Sequence, residues 1–269
     1  MVTRAAVLAG LIMVLVQGCA WAADAPADKT RLFPDVSGVT VISGKGHLTV
    51  TTETRDTVSA HWHGPQAWID AWKTGQDGNT LLLDGKNLPQ TDSGSVSVSG
   101  VSVFASGGGS ASVNIGGTTM TAKSQETPSL DLHVPTGTRL RVLSFAGEME
   151  TDPLSSPAEI TLRNGTANLS ALNEGGRVVI EGAGTVTLQR AQGETTLIIA
   201  GSGNISVNQA HISHLVATIG GNGQISVSGQ AKEADLTVTG AGMISVDSVT
   251  TTPRTRSSGA GMISVGNHP

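Results

Sequence analysis

The stretch that decides the fold is a short pattern repeated five times, in which two glycines precede an alternating aliphatic pair. The copies are Gly182-Ala-Gly-Thr-Val-Thr-Leu188, Gly201-Ser-Gly-Asn-Ile-Ser-Val207, Gly221-Asn-Gly-Gln-Ile-Ser-Val227, Gly240-Ala-Gly-Met-Ile-Ser-Val246 and Gly259-Ala-Gly-Met-Ile-Ser-Val265. Their first glycines lie 19, 20, 19 and 19 residues apart, and weaker copies around Gly147 and Gly165 extend the period toward the N-terminus. A constant period of this length is typical of repeat architectures.

Apolar residues within each copy recur at every second position, which is the side-chain period of a β-strand. Leu236, Val238, Ile244 and Val246, for example, share one parity with the glycine pair between them. One such coil cannot bury its own apolar side chains, so successive coils must stack in parallel about 4.8 Å apart. The sequence predicts an all-β fold, a right-handed parallel β-helix (β-solenoid) with coils of about 19 residues.

The repeated residues have two predicted structural roles. The glycine pairs are expected at bends, where a side chain would crowd the narrow interior; they are Gly182, Gly184, Gly201, Gly203, Gly221, Gly223, Gly240, Gly242, Gly259 and Gly261. The aliphatic pairs are expected to form the buried core, which includes Ile205, Val207, Ile225, Val227, Ile244, Val246, Ile263 and Val265.

The N-terminus predicts export. Arg4 precedes an uncharged apolar run, Ala5 to Val16, that is too short to span a bilayer, so residues 1–22 are interpreted as a signal peptide cleaved after Ala22. The residues before Cys19 are also similar to those preceding a lipid-modified cysteine, and lipidation at Cys19 is the less favoured alternative. We expect a periplasmic, cell-envelope or extracellular protein with no transmembrane span in the mature chain.

The remaining chain is predicted to be a linker, 23–35, followed by one solenoid domain, 36–269. Residues 36–60 are interpreted as the first coils, and residues 67–72 as a short helical segment. A Ser- and Gly-rich insertion at about 91–121, including Ser106-Gly-Gly-Gly-Ser110, interrupts the repeats. We expect this insertion to be partly ordered.

Charge and composition argue against nucleic acid as a partner. The net charge is −5, and it becomes −6 without residues 1–22, because Arg4 is lost and no acid is. Tyr is absent and only three Phe occur, so few aromatic rings are available to stack on bases.

No catalytic, cofactor or metal site is predicted. On the outward parity, Glu148, Glu150 and Asp152 cluster on one short segment, whereas glycoside cleavage needs two acids on opposite sides of a sugar bond. His61 and His63 share one face of a strand, but zinc needs three or four ligands.

Trp62, Trp68 and Trp72 are interpreted as a cap on the core, with an exposed platform for sugars as the weaker alternative.

The C-terminal end of the solenoid predicts association. Arg254 and Arg256 are placed in the last return loop, beside an uncapped final coil that ends at Val265. An exposed strand edge is a template for pairing, so a homo-oligomer through this edge is a hypothesis.

Several stretches resemble the bacterial GIN-domain family, the auto-transporter adhesin head domain. They are Ser43-Gly-Lys-Gly-His-Leu-Thr-Val50, Gly64-Pro65, Asp77-Gly-Asn-Thr-Leu81, Leu132-His-Val-Pro135 and the recurrent Gly-Ser-Gly-Asn-Ile, within roughly Val36 to Val265. The family commonly has Asp in the slot that Asn204, Gln224 and Met243 take here. The resemblance implies a right-handed β-helix exported to the envelope.

Together these observations predict a non-catalytic envelope protein, an adhesin-like binding or structural module with an envelope protein or a glycan as its partner. The alternative is a β-helix enzyme or binding protein that acts on polysaccharide.

Overall fold

The computed structural model describes residues 26–89 and 127–266, together with the backbone of four short strands between them. The fold is a β-solenoid of about seven turns, as the repeat predicts. The only helix among the described residues is α1, Gln66–Ala71. The strands before the insertion are β1 Pro26–Pro34, β2 Gly38–Ile42, β3 Lys45–Glu53, β4 Thr57–Pro65, β5 Lys73–Asp77 and β6 Thr80–Asp84.

The strands of the insertion form two antiparallel hairpins, one of β7 Ser95–Val98 with β8 Val101–Phe104, the other of β9 Ser110–Ile115 with β10 Thr118–Lys123. The remaining strands are β11 Ser129–Pro135, β12 Arg139–Thr151, β13 Ala158–Leu172, β14 Gly176–Ile199, β15 Asn204–Ile219, β16 Gln224–Val238, β17 Met243–Val249, β18 Arg254–Ser257 and β19 Met262–Val265.

The C-terminal coils contribute strand segments to three stacks, in which segments of successive coils pair in parallel. Stack A contains 146–151, 164–169, 183–188, 204–207, 224–227, 243–246 and 262–265. Stack B contains 139–143, 158–162, 176–180, 195–199, 215–219, 234–238 and 254–257. Stack C is shorter and contains 171–172, 190–193, 209–212, 229–231 and 248–249.

The core is the column of inward aliphatic side chains along these stacks. Six of the eight residues predicted for it are at most 1% exposed, namely Ile205, Val207, Ile225, Val227, Ile244 and Val246. Full burial of such a side chain stabilises the fold by roughly 1.5–3 kcal/mol. Ile263 and Val265 were also predicted as core, but they are only partly buried. The reason is that no described coil packs on their far side.

The glycine pairs occupy the corner between stack B and stack A. A Cβ atom on Gly242 would lie 2.6 Å from Cγ2 of Ile219, an inward side chain of the previous coil. A Cβ on Gly259 would lie 2.7 Å from the backbone oxygen of Gly240 directly below it. The first glycine of a pair therefore permits close backbone stacking, and the second leaves room for the core.

One coil departs from the regular register. Ile160 and Leu162 have the opposite parity to the glycine that follows them, which predicts a bulge or a slip. The pairing of β13 with β14 shifts between Leu162 and Asn164, as that parity requires.

The N-terminal part closes the solenoid with strands of both directions. Strands β2 and β3 add the first segments of stacks B and A, each parallel to β12. Beside β3 lies β11, parallel to it; β4 is antiparallel to β11, and β1 is antiparallel to β4. The residues expected to be a linker, 23–35, thus include a nine-residue strand, because β1 satisfies the outer edge of β4. Helix α1 follows β4 and buries Trp68 and Ile69.

Candidate functional site

The outward side chains of stack A form a continuous surface that we call the polar ladder. It consists of two rows, and in each row a residue of one coil lies beside its counterpart in the next. The first row is Glu148, Thr166, Thr185, Asn204, Gln224, Met243 and Met262, and the second is Glu150, Asn168, Thr187, Ser206, Ser226, Ser245 and Ser264. All of these side chains are exposed or half-buried.

Amide and hydroxyl groups of the polar ladder are bonded to each other along single strands. Asn204 Nδ2 donates to Ser206 Oγ at 3.4 Å, and Gln224 Nε2 donates to Ser226 Oγ at 3.1 Å. These pairs position donors and acceptors at intervals of one coil, about 4.8 Å. The middle coils therefore present a polar but uncharged surface.

The two ends of the polar ladder differ chemically from its middle. Glu148 and Glu150 make the N-terminal end acidic, whereas Met243 and Met262 make the C-terminal end apolar, with 42% and 59% of each residue exposed. An extended partner lying along the ladder would therefore meet three chemically distinct zones.

A shallow cavity of about 330 Å³ lies at the acidic end, beside the second row. Its lining comes from strands β3, β12, β13 and β14 and includes Thr49, Glu150, Asp152, Asn168, Ser170 and Gln189. Asp152 Oδ2 accepts a hydrogen bond from the backbone N–H of Thr52 at 3.1 Å, which orients this carboxylate. The cavity offers carboxylate, amide and hydroxyl groups to a small polar group.

The three clustered acids do not oppose one another across this cavity. Glu148, Glu150 and Asp152 all follow one another on or just after β12, and only Glu150 and Asp152 line the cavity. Two carboxylates that cleave a glycoside flank the scissile bond from opposite sides. Among the residues that line this cavity, the only acids are Glu150 and Asp152 of that one segment.

His61 and His63 contact β1, which lies in the stretch predicted to be a linker. His63 Nδ1 donates to Asp28 Oδ1 at 2.7 Å, and His61 Nδ1 lies 2.7 Å from Thr30 Oγ1. The hydrogen bond from His63 lowers the pKa of Asp28 below its ordinary value, and the positive charges that His63 and His61 can carry act in the same direction. Within the described ranges, no group of three or more His, Cys, Asp or Glu has the geometry to hold a metal ion.

Three further histidines are also paired with carboxylates of other strand segments. His47 lies 3.5 Å from Glu148, His133 Nδ1 donates to Glu53, and His214 lies 3.0 Å from Asp235. These pairs connect neighbouring strand segments on the outer surface. The structural role of these three histidines is therefore to form contacts between strand segments.

Trp62, Trp68 and Trp72 are part of the core and form no exposed platform. Trp62 and Trp68 are 1% exposed and Trp72 is 7% exposed. Trp68 and Trp72 pack edge to face, with ring centroids 5.6 Å apart. Their burial agrees with the preferred interpretation as a cap on the core and removes them as candidates for stacking on sugars.

The structure places Arg254 and Arg256 differently from their prediction, and it does not describe Cys19. Arg254 and Arg256 are on strand β18 of stack B rather than in a return loop. Cys19 lies outside the described residues, as does the rest of the predicted signal peptide. Asp28 and Thr30, the partners of His63 and His61, were not predicted as site residues. The only sequence signal for them is that they lie at positions i and i+2, which share one face of a strand.

Comparison with known proteins identifies the fold. No family model matches the chain, and no curated protein matches it either. A crystal structure from Bacteroides fragilis, described as a "putative adhesin", is similar with a TM-score of 0.59 and 16% identity, covering 89% of this chain and 96% of that one. A second "putative adhesin", from Parabacteroides distasonis, has a TM-score of 0.45 and 13% identity over 89% of this chain and 96% of its own.

The similarity to the Bacteroides fragilis structure concerns the fold, which in this chain is a β-solenoid with a polar, mostly uncharged outer face on stack A. None of the described helices is both long and apolar enough to cross a bilayer.

Proposed function

We propose that this chain is a non-catalytic, exported envelope protein with an adhesin-like binding role, and that the polar ladder is its contact surface. The observation that carries the proposal is the continuous run of Thr, Asn, Gln and Ser side chains over successive coils of stack A. Such a surface would bind a partner through many weak hydrogen bonds. In the free protein water solvates the same groups, so the exposed polar ladder costs the fold little stability. The resemblance to the GIN-domain family supports the same role, and we propose that the chain is a member.

The partner is an envelope protein or a glycan, and each class predicts a different result. The purified chain is assayed for binding to a glycan array and, in parallel, to isolated bacterial envelopes with and without protease treatment. Binding to the array identifies a glycan, and protease-sensitive binding to envelopes identifies a protein.

A matched pair of variants tests the surface itself. Ser206→Arg places a bulky charge in the middle of the polar ladder, and Thr218→Arg places the same charge on the outer face of stack B in the same strand, β15. Both residues are half-buried, outward-facing positions. We expect Ser206→Arg to weaken binding about tenfold, or 1.4 kcal/mol, and Thr218→Arg to leave it unchanged. Equal effects of the two variants would remove the polar ladder from the proposal.

The cavity supports the second candidate, a β-helix enzyme or binding protein that acts on polysaccharide. Glu150 and Asp152 both line it, and they are the acids that such a function would use. Release of reducing ends from a panel of polysaccharides, abolished by Glu150→Gln, would establish the enzyme. Binding that survives this substitution without release of product would support the non-catalytic role.

Export is proposed from the first 22 residues. A chain isolated from its native host should begin at Ala23 if the signal peptide is cleaved after Ala22. Mass spectrometry of the intact chain distinguishes this form from one that begins at a lipid-modified Cys19. A chain that retains Met1 and fractionates with the cytosol would contradict export.

A further inference from the structure

The last coil of the solenoid ends differently on its two main stacks. In stack B the inward positions of β18 are Thr255 and Ser257, which stack on the buried Leu236 and Val238. In stack A the inward positions of β19 are Ile263 and Val265, which are partly buried. Stack B therefore ends in a polar rung, and stack A ends in an apolar rung.

The outer edge of β19 is short but lacks the charges, prolines and bulges that discourage strand pairing. Among the described strands it pairs only with β17, and its four residues, Met262–Val265, include no charge, no proline and no bulge. The edge strand at the other end, β1, begins and ends with proline and carries Asp28, Lys29 and Arg31. Proteins protect sheet edges from association with charges and prolines, so β1 is a protected edge and β19 is not.

The sequence of β19 also occurs in β17, and the two strands pair with each other in this structure. Residues 259–265 are identical to residues 240–246, and β17 and β19 pair in parallel with Met on Met, Ile on Ile, Ser on Ser and Val on Val. The free edge of β19 thus has the same residues as the edge of β17 that it covers. This edge has the chemistry to accept another strand.

We propose that the end of the solenoid binds a second copy of this chain, with β19 of each copy antiparallel to β19 of the other about a two-fold axis. Such an isologous arrangement closes after two copies. Placing Ile263 opposite Ile263 of the second copy keeps inward residues on one face, since directly opposed residues of antiparallel strands share a face. The two cores then join end to end, and Ile263 and Val265 become buried.

Charge complementarity supports this arrangement. A two-fold axis that passes between the two Ile263 residues keeps stack A against stack A and places stack B of each copy against stack C of the other. Arg254 lies 3.8 Å from Asp235 of its own copy, whereas Arg256 on β18 approaches the corner of the second copy that carries Asp247, an exposed acid. Gly266 stacks above the backbone of Asp247 without a side chain, and Asp247 stays exposed while its Oδ2 accepts a hydrogen bond from the backbone N–H of Gly229 at 3.0 Å.

Sedimentation equilibrium of the purified chain over a wide concentration range tests the proposal. We expect a reversible monomer–dimer equilibrium, weakened at least about tenfold by Ile263→Lys, which puts a charge into the joined core. Leu32→Lys is the matched control, because Leu32 is also an exposed aliphatic residue but lies on β1. It should leave the equilibrium unchanged.

A charge exchange tests the two-fold axis without altering the core. Arg256→Glu should weaken the dimer about threefold, and the double variant Arg256→Glu with Asp247→Lys should restore it. Circular dichroism confirms that each variant is folded. A monomer at every concentration, a dimer insensitive to Ile263→Lys, an open series of larger oligomers, or failure of the double variant to restore the dimer would each overturn the proposal.

Discussion

Ile244 and Ile263 stack directly on each other within identical heptapeptides, yet Ile244 is fully buried and Ile263 is only partly buried. Their local sequences cannot account for the difference. Ile244 has a coil on each side, whereas Ile263 has a described coil on one side only. In a solenoid the contribution of a residue to stability is set by its neighbouring coils as well as by its own.

Alanine substitutions should therefore have unequal costs along the same column. Ile225→Ala removes buried methyl groups between two coils and should lower the free energy of unfolding by about 2–5 kcal/mol. Ile263→Ala at the end of the column should lower it by about 1 kcal/mol, because its side chain stays partly in water. Urea unfolding followed by circular dichroism, with the chain kept at a low concentration, measures both. Equal losses would show that the last coil is packed as tightly as the middle of the solenoid.

Alanine in a glycine pair should destabilise the fold by overpacking. A Cβ on Gly242 would lie 2.6 Å from Ile219 Cγ2 and 2.7 Å from the backbone oxygen of Gly223, so the coil must shift to accept it. We expect Gly242→Ala to cost about 1–3 kcal/mol in unfolding free energy. Gly75→Ala on β5 is the control, because a Cβ there meets nothing within 4 Å. A thermal unfolding midpoint that is unchanged in Gly242→Ala would contradict the crowding at this corner.

The solenoid was predictable because its signal is repeated. A period of 19 residues and an alternation of two residues, present together in the copies from Gly182 to Val265, permit few folds other than stacked parallel coils. The bulge near Leu162 was also predictable, since a change of parity must be absorbed somewhere in the register.

The N-terminal strands were less predictable because they occur once each. Strand β1 lies between Pro26 and Pro34, and only two of its side chains, Ala27 and Phe33, pack on the core, so its sequence has no clear alternation. Its position is determined by the free edge of β4 and by contacts to His61 and His63. Such contacts between distant segments leave no periodic trace in a single sequence.

The buried tryptophans should contribute through packing rather than through hydrogen bonds. Among the described residues, the indole Nε1 atoms of Trp62, Trp68 and Trp72 are buried without a hydrogen-bond partner. Trp68→Phe therefore removes an unsatisfied donor along with some volume and should cost less than about 1.5 kcal/mol. Trp68→Ala leaves a large cavity and should cost about 3–5 kcal/mol. Chemical unfolding of the two variants compares these values, and a Phe variant as unstable as the Ala variant would indicate a hydrogen bond from the indole.

The pairing of Asp28 with His63 should make the attachment of β1 dependent on pH in the acid range. The pKa of Asp28 is lowered in the folded chain, chiefly by the hydrogen bond from His63. A carboxyl group whose folded pKa is depressed stabilises the fold above its unfolded pKa, and this contribution is lost as the pH falls through the folded value. Carbon-13 NMR titration of the Asp28 carboxyl group should therefore show its pKa rising toward the ordinary value in His63→Ala. Protection of the β1 amides from exchange should be lower in this variant than in the unmodified chain near neutral pH, and it should lose its dependence on pH in the acid range, because Asp28 then has nearly the same pKa folded and unfolded. His211→Ala, at an exposed histidine on stack C, should change neither measurement. An Asp28 pKa that is the same with and without the His63 ring would show that β1 is held to β4 by its backbone pairing alone.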